Sequence, residues 1–225
     1  MTVQPVEPEA LPAWLQPLAE AAAAVEPGQL SRFLPPEDGG RMSAILVLLG
    51  EGPDGPDLLL IERAADMRSH PGQPAFPGGS VDDTDDGPVA AALREAQEET
   101  GLDPSGVEVF ATLPDLFLPP SGFVVTPVLG WWRTPTPVHA AAPAEVAAVH
   151  RVPVAELTDP DNRVRVTHPS GFIGPAFHVR GMLVWGFTGG LLDRVLAIGG
   201  WERPWDVSRI EPLPPSAVGE LRSPT

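Results

Sequence analysis

Three glutamates stand within five positions in REAQEETGL, residues 94–102, beside a single arginine. Carboxylates so close together must either face water or hold something positive. The flanking residues predict a helix from Pro88 to Thr100, with Pro88 in the first turn and Gly101 just past the end. At about 100° per residue from Arg94, Glu98 lies at about 40°, Glu95 at about 100° and Glu99 at about 140°. Val89, Leu93, Ala96 and Thr100 fall on the opposite side, with Ala92 at the boundary. The helix therefore pairs an apolar face for the core with a face of three carboxylates. A solvated charged face is one reading. It fits poorly, because only Arg94 offers a positive partner and Glu95–Glu99 is a like-charge i,i+4 pair, costing ~0.2–0.5 kcal/mol. Glu98 and Glu99 also meet the negative end of the helix dipole. A divalent cation would turn these costs into a site, and hard carboxylate oxygens suit Mg²⁺ or Mn²⁺.

The segment before the helix adds to this. FPGG, residues 76–79, is a tight turn in which backbone can approach a ligand or lend a carbonyl to a metal. Gly79 lies fifteen residues before Arg94. Together, Gly79 to Leu102 resembles the signature of the Nudix hydrolases: a glycine, a spacer with an acid, then Arg-Glu-apolar-x-Glu-Glu-x-Gly-apolar. Arg94, Glu95, Ala96, Glu98, Glu99, Gly101 and Leu102 match position by position. The spacer is one residue longer than the general signature, and its acid is Asp85 or Asp86 rather than Glu. LLIERAADMRSHPGQPAFPGG, residues 59–79, is similar to the additional motif of the coenzyme A pyrophosphatase branch, through Leu59, Leu60, Arg63, Ala64, Arg68, Gly72 and Phe76 to Gly79. That branch tends to carry the longer spacer. Ile61 stands where it usually has Thr, and Pro74 is unusual beside Gln73. LVWGFTGGLL, from Leu183, resembles the Trp-Gly helix of the same branch. The resemblance covers about residues 43–197.

The resemblance implies a metal site of Glu95, Glu98 and Glu99, with the Gly78 carbonyl a further ligand. Arg94 would orient the carboxylates through Glu98 and the spacer acid. The reaction implied is hydrolysis of a diphosphate joined to another group. A general base must lie near the attacking water; in this family it is often a glutamate on a distant loop. Glu145 is the candidate and Glu98 the second, while an ordinary surface acid is the bland alternative for Glu145. Arg63 and Arg68 are read as phosphate-capturing, since Arg forks suit phosphate, or as structural partners of the acidic spacer. Gly72 and Phe76 join them as expected substrate-binding residues. His70 is expected to pack or hydrogen-bond, and Trp131, Trp132 and Trp185 to belong to the core. The leading reading is a Mg²⁺- or Mn²⁺-dependent enzyme that cleaves coenzyme A or acyl-coenzyme A to 3′,5′-ADP and 4′-phosphopantetheine or its acyl form. A neighbouring reading changes the substrate to ADP-ribose or a dinucleoside polyphosphate. One from another class is a non-catalytic nucleotide-sensing module, against which the intact glutamate set argues.

The elements that must position these residues are partly legible. MSAILVLLG and DLLLIER are strand-length apolar runs joined at GPDGP. Residues 63–79 read as loop, VEVFATL and GFVVTPVLGWW as strands, and EVAAVHRVPVAEL as mixed. RVRVTHP and FIGPAFHV read as further strands, and 181–197 as a closing helix. The expectation is an α/β fold, a Nudix-type α/β/α sandwich with a mixed β-sheet. Residues 1–40 are read as an N-terminal helix over 11–25, interrupted by Pro17, plus linker. Residues 41–200 are read as the hydrolase domain and 201–225 as a Pro-rich, poorly ordered tail. The 225 residues hold 30 acids against 14 bases, all arginine, a net charge of −16. That balance argues against nucleic acid or an anionic membrane as partner. It admits a small-molecule diphosphate screened by a cation, and a homodimer is compatible with it. The absence of cysteine excludes disulfides, thiolate nucleophiles and zinc–thiolate sites. The acidic start reads as no signal peptide, and glycines, Asp193 and Arg194 make 181–201 a buried helix rather than a span. A cytoplasmic protein is expected.

Overall fold

The structure is a computed structural model that describes residues 5–31, 33–36, 39–67, 70–119, 121–214 and 217. Two short helices come first, α1 (Gln16–Ala22) and α2 (Pro27–Leu30). The two apolar runs then form an antiparallel hairpin of β1 (Arg41–Gly52) and β2 (Gly55–Arg63), turning at Pro53–Asp54. β3 (Pro74–Ala75), β4 (Gly78–Ser80), α3 (Pro88–Thr100), β5 (Val107–Thr112), β6 (Leu116–Leu118) and β7 (Phe123–Trp132) follow. The chain continues with β8 (Val146–Pro153), α4 (Val154–Leu157), β9 (Arg163–Thr167), β10 (Ile173–Val179), β11 (Met182–Val184), α5 (Gly186–Ile198) and β12 (Ile210–Pro212).

The main sheet runs β3-β2-β1-β7-β5, with β4 added on β1, β6 on β7 and β8 on β2. β1 and β7 pair in parallel and the other pairs of this sheet are antiparallel, so the sheet is mixed. A smaller sheet runs β11-β10-β9-β12. β1 is an unbroken apolar run because both of its faces are covered. Ala44, Leu46 and Leu48 pack with Ala91, Ala92 and Ala96 of α3 on one side. Ile45, Val47 and Leu49 pack with Leu18 of α1 and Leu191, Leu192, Val195 and Leu196 of α5 on the other. Helices thus flank the main sheet on both faces, as the α/β/α expectation has it.

One feature of the hairpin matters most for the site. β1 and β2 pair only from Leu49↔Leu58 to Gly52↔Gly55, and then part. β3 adds to the free edge of β2 at Ile61↔Ala75, and β4 to that of β1 at Ser43↔Ser80, Ala44↔Gly79 and Ile45↔Gly78. The glycine turn is therefore stretched across the opening of a V and held from both arms.

Several expectations need correction. Pro17 does not interrupt a helix: α1 begins at Gln16, and proline costs nothing in a first turn. Residues 63–79 are not all loop, since β3 and β4 form by pairing with distant strands. The segment 181–197 is a short strand before its helix. Beyond 201 the described residues are not irregular throughout, while 215, 216 and 218–225 lie outside them. β12 pairs in parallel with β9, Leu213 is buried, and Glu202 pairs with the buried Arg163. These contacts fix residues whose Pro and Ser content alone suggests disorder. Among the described residues, no helix is long and apolar enough to cross a membrane.

Candidate active site

α3 spans Pro88–Thr100, and Gly101 closes it in the left-handed region at φ 67°. Ala91, Ala92 and Ala96 are fully buried, and their small side chains bring the helix close to β1 and β4. That closeness changes the reading of the carboxylate face. Glu99 is only 3 % exposed and leaves the solvent side altogether. Its Oε2 accepts a hydrogen bond from the Gly78 N–H at 2.9 Å. Glu98 stays exposed, and Glu95 lies between the two.

The glycine turn is built for this contact. Leu46 donates to the Pro77 carbonyl and Val81 to that of Met42, which sets the alternation of the β1–β4 ladder. Gly78 therefore occupies a non-hydrogen-bonded position, with its N–H and C=O turned away from β1. Its φ is 155°, and a Cβ there would sit 2.3 Å from the Ala44 carbonyl oxygen. At Gly79 a Cβ would meet the Glu95 carboxyl carbon at 2.4 Å, so Glu95 lies directly over that backbone. The Ser43 hydroxyl donates to the Gly79 carbonyl at 2.6 Å and pins the turn from beneath. Ser43 stands outside the carboxylate motif, and its one signal in the sequence is a hydroxyl at the start of an apolar strand.

Arg94 gathers the acids around it. Its Nε and Nη2 each reach Asp85 at 3.0 Å, Nη2 reaches the Ser80 carbonyl at 3.1 Å, and Nη1 reaches Glu95 at 3.0 Å. Glu98 is met more loosely, at 3.4 Å. Of the spacer acids, Asp85 engages Arg94 most closely, with Asp82 at 3.6 Å; the sequence left the choice open between Asp85 and Asp86. This hydrogen bonding holds the Asp85 carboxyl below its ordinary range and raises the Arg94 guanidinium.

Burial dominates the other two carboxyls. It raises Glu95, with the Arg94 contacts opposing and Glu98 and Glu145 adding to the rise. It pushes Glu99 up to about 7, opposed by the Gly78 N–H and by Arg63, and reinforced by Glu95 and Glu145. Glu145, though far in sequence, therefore feels both. Its loop is tied to the end of α3 by the N–H groups of His139 and Ala141, which donate to Thr100 and Glu99, and Ala64 N–H donates to the Glu145 carbonyl at 2.8 Å. His139 lies where a Cβ on Gly101 would come within 2.8 Å of its ring, so Gly101 both ends the helix and admits this loop.

Arg63 ends β2 beside Glu99. Its Nε is buried without a partner, and among the described residues no ion pair engages its guanidinium. Arg68 lies outside the described residues. Gly72 sits at φ 64° and donates its N–H to the Arg63 carbonyl, so it makes the turn. Phe76, expected among the substrate-binding residues, is 3 % exposed and packs in the larger apolar cluster, where it anchors the turn.

Among the described residues, no three acidic or imidazole side chains already converge as a metal cage. Glu98 leans to Arg94 and Glu99 to Gly78. The donor chemistry nevertheless fits a hard divalent cation. Glu95 raises Glu99, Glu98 raises Glu95, Glu145 adds to both, and the Gly78 carbonyl turns from its own ladder toward the same side as its N–H.

The NUDIX domain model matches residues 40–170. Over 171 residues, covering 73% of this chain and 85% of the relative, the chain is 44% identical to the "Uncharacterized Nudix hydrolase NudL" of Cronobacter sakazakii. It is 42% identical over 167 residues to the protein of the same name from Enterobacter sp., covering 71% and 83%. Among solved structures, a Nudix hydrolase from M. smegmatis, RenU, aligns over 75% of this chain and 95% of its own, at 20% identity and a TM-score of 0.48.

Proposed function

The chain belongs to the Nudix hydrolase family, whose members act on phosphoric anhydrides, and from that premise we propose that it cleaves the diphosphate of coenzyme A or acyl-coenzyme A. Nudix enzymes generally use divalent cations, and Mg²⁺ or Mn²⁺ is the cofactor proposed here. Glu95 and Glu99, with Glu98 and the Gly78 carbonyl, would hold it. When bound, the ion supplies neutralising charge for the diphosphate and a more acidic water. Arg94 keeps Glu95 in place while Asp85 and Ser80 hold Arg94. Glu145 takes the proton from the attacking water. As the new phosphorus–oxygen bond forms, the anhydride oxygen leaves with its electron pair, giving 3′,5′-ADP and 4′-phosphopantetheine. The single observation that supports the substrate reading is Arg63: its Nε is buried with no partner among the described residues, and its guanidinium acts on Glu99. A polyphosphorylated ligand would satisfy it, and the loop it begins bears the motif similar to the coenzyme A branch.

The test is product analysis over a panel of coenzyme A, acyl-coenzyme A, ADP-ribose and dinucleoside polyphosphates, with Mg²⁺ and with Mn²⁺. The expected result is 3′,5′-ADP released fastest from the coenzyme A compounds. Equal or faster turnover of ADP-ribose would move the substrate and leave the hydrolase standing.

A further inference from the structure

The loop that begins with Arg63 is held from a second side, by residues far along the chain. The Gln73 Nε2 donates to the Ala217 carbonyl at 3.1 Å. Its Oε1 lies 3.0 Å from Nδ1 of His70, so that nitrogen carries the proton. The backbone of Gln73 closes the same turn. Its carbonyl accepts from Arg63 N–H at 3.1 Å, its N–H donates to the His70 carbonyl at 3.3 Å, and Gly72 N–H donates to the Arg63 carbonyl at 3.1 Å. The Gln73 side chain thus joins Ala217 to His70, while its backbone closes the turn on Arg63.

The turn needs such a hold. His70 has φ 55°, a conformation that side chains other than glycine disfavour. Leu213 and Ala217 are themselves held in place. Leu213 is buried and donates its N–H to Thr167 at 3.2 Å, and Ala217 donates to Pro214 at 2.9 Å. Leu213 and Ala217 pack with Val164, Val166 and Ala176 on the smaller sheet, whose β11 lies against β3.

We propose that Gln73 is a positioning residue through which the C-terminal segment at Leu213 and Ala217 fixes the Arg63 loop in its substrate-binding shape. The binding role of Arg63 rests on the function proposed above; the ordering of the loop does not. The experiment compares Gln73→Met, which keeps the length and loses both side-chain hydrogen bonds, with Gln73→Glu, which loses the donor to Ala217, and with a stop after Leu213. Gln73→Met and the stop should each raise KM about 3- to 10-fold, the worth of a neutral hydrogen bond. kcat should stay within about twofold, and the combination should be no worse than either change alone, as for groups acting through one contact. Amide exchange at Arg63, Gly72 and Gln73 should quicken in both. Unchanged exchange in Gln73→Met, wild-type behaviour in Gln73→Glu, or effects that multiply in the combined variant would overturn the proposal. Should no diphosphate be hydrolysed at all, the functional reading fails while the exchange measurement still decides this one.

Discussion

Glu99 is the residue at which burial and chemistry pull hardest against each other. Its carboxyl, ordinarily near 4.5, is pushed up to about 7 when the protein holds no metal. A raised folded-state value means that the folded protein keeps a proton the unfolded chain has lost between those pH values. The contribution to stability is whole below pH 4.5 and is lost as pH rises through about 7. Over that span the metal-free protein should lose on the order of 3 kcal/mol. Glu99→Gln, neutral at every pH, should flatten the slope and be the more stable form at pH 8. Chemical denaturation in EDTA at pH 5 and pH 8 measures this, and parallel curves for wild type and variant would refute it. The same variant should lower kcat by several orders of magnitude. Arg63→Ala probes the opposite charge. A charge-assisted hydrogen bond is worth roughly 1.5–3 kcal/mol, or about ten- to a hundredfold in kcat/KM. If Arg63 meets the diphosphate, coenzyme A and dephospho-coenzyme A should fall together; if it meets the 3′-phosphate, dephospho-coenzyme A should lose little.

At the scale of elements, β4 and α3 form one device, and the two glycines of the turn serve different parts of it. A side chain at Gly78 would strike backbone, the Ala44 carbonyl oxygen, in a conformation that favours glycine. Gly78→Ala should therefore cost both activity and stability, the latter by roughly 1–3 kcal/mol. The nearest atoms that a side chain at Gly79 would strike are those of the Glu95 carboxyl, the far end of a side chain rather than backbone. Gly79→Ala should keep nearly all its stability and lose activity, because Glu95 must swing away. Thermal unfolding of the two variants separates these effects, and equal destabilisation would show that the turn has no such division. The bounds of α3 were legible because Pro88 and Gly101 punctuate it chemically. β3 and β4 were not. Two- and three-residue strands carry no period of their own and exist only because β1 and β2 part. For the same reason a helical wheel could place Glu99 on the carboxylate side but could not see β4 laid against it. Phe76 stands in the same motif as Gly78 and Gly79, yet it faces the core, and nothing in a local stretch distinguishes a residue that meets a ligand from one that anchors the turn. Asp85 was half legible: the acidic run SVDDTDDGP pointed to a partner for Arg94, but only the fold chose among its members.

The whole molecule carries a net charge of −16, and the buried Glu99 and half-buried Glu95 sit where α3 meets β4 and the Glu145 loop. Two kinds of cation effect follow, and they can be told apart. Any salt screens the general self-repulsion, and does so equally in every variant. A divalent ion bound only by the folded site adds a stabilisation of its own, about 2.7 kcal/mol when free metal stands at a hundred times its dissociation constant. For a domain near this size each kcal/mol moves the midpoint by roughly 2–4 °C, so Mg²⁺ or Mn²⁺ should raise Tm by roughly 5–10 °C. The comparison is NaCl at matched ionic strength, which should shift wild type, Glu95→Gln and Glu99→Gln alike. The divalent increment beyond NaCl should shrink in both variants, because each removes one of the carboxylates whose repulsion the ion relieves. It should survive in Arg63→Ala, which removes a positive charge beside Glu99 and none of the carboxylates. An increment that persists unchanged in Glu95→Gln and Glu99→Gln would mean that the metal neutralises the surface at large. The buried pair would then have to be explained by folding alone.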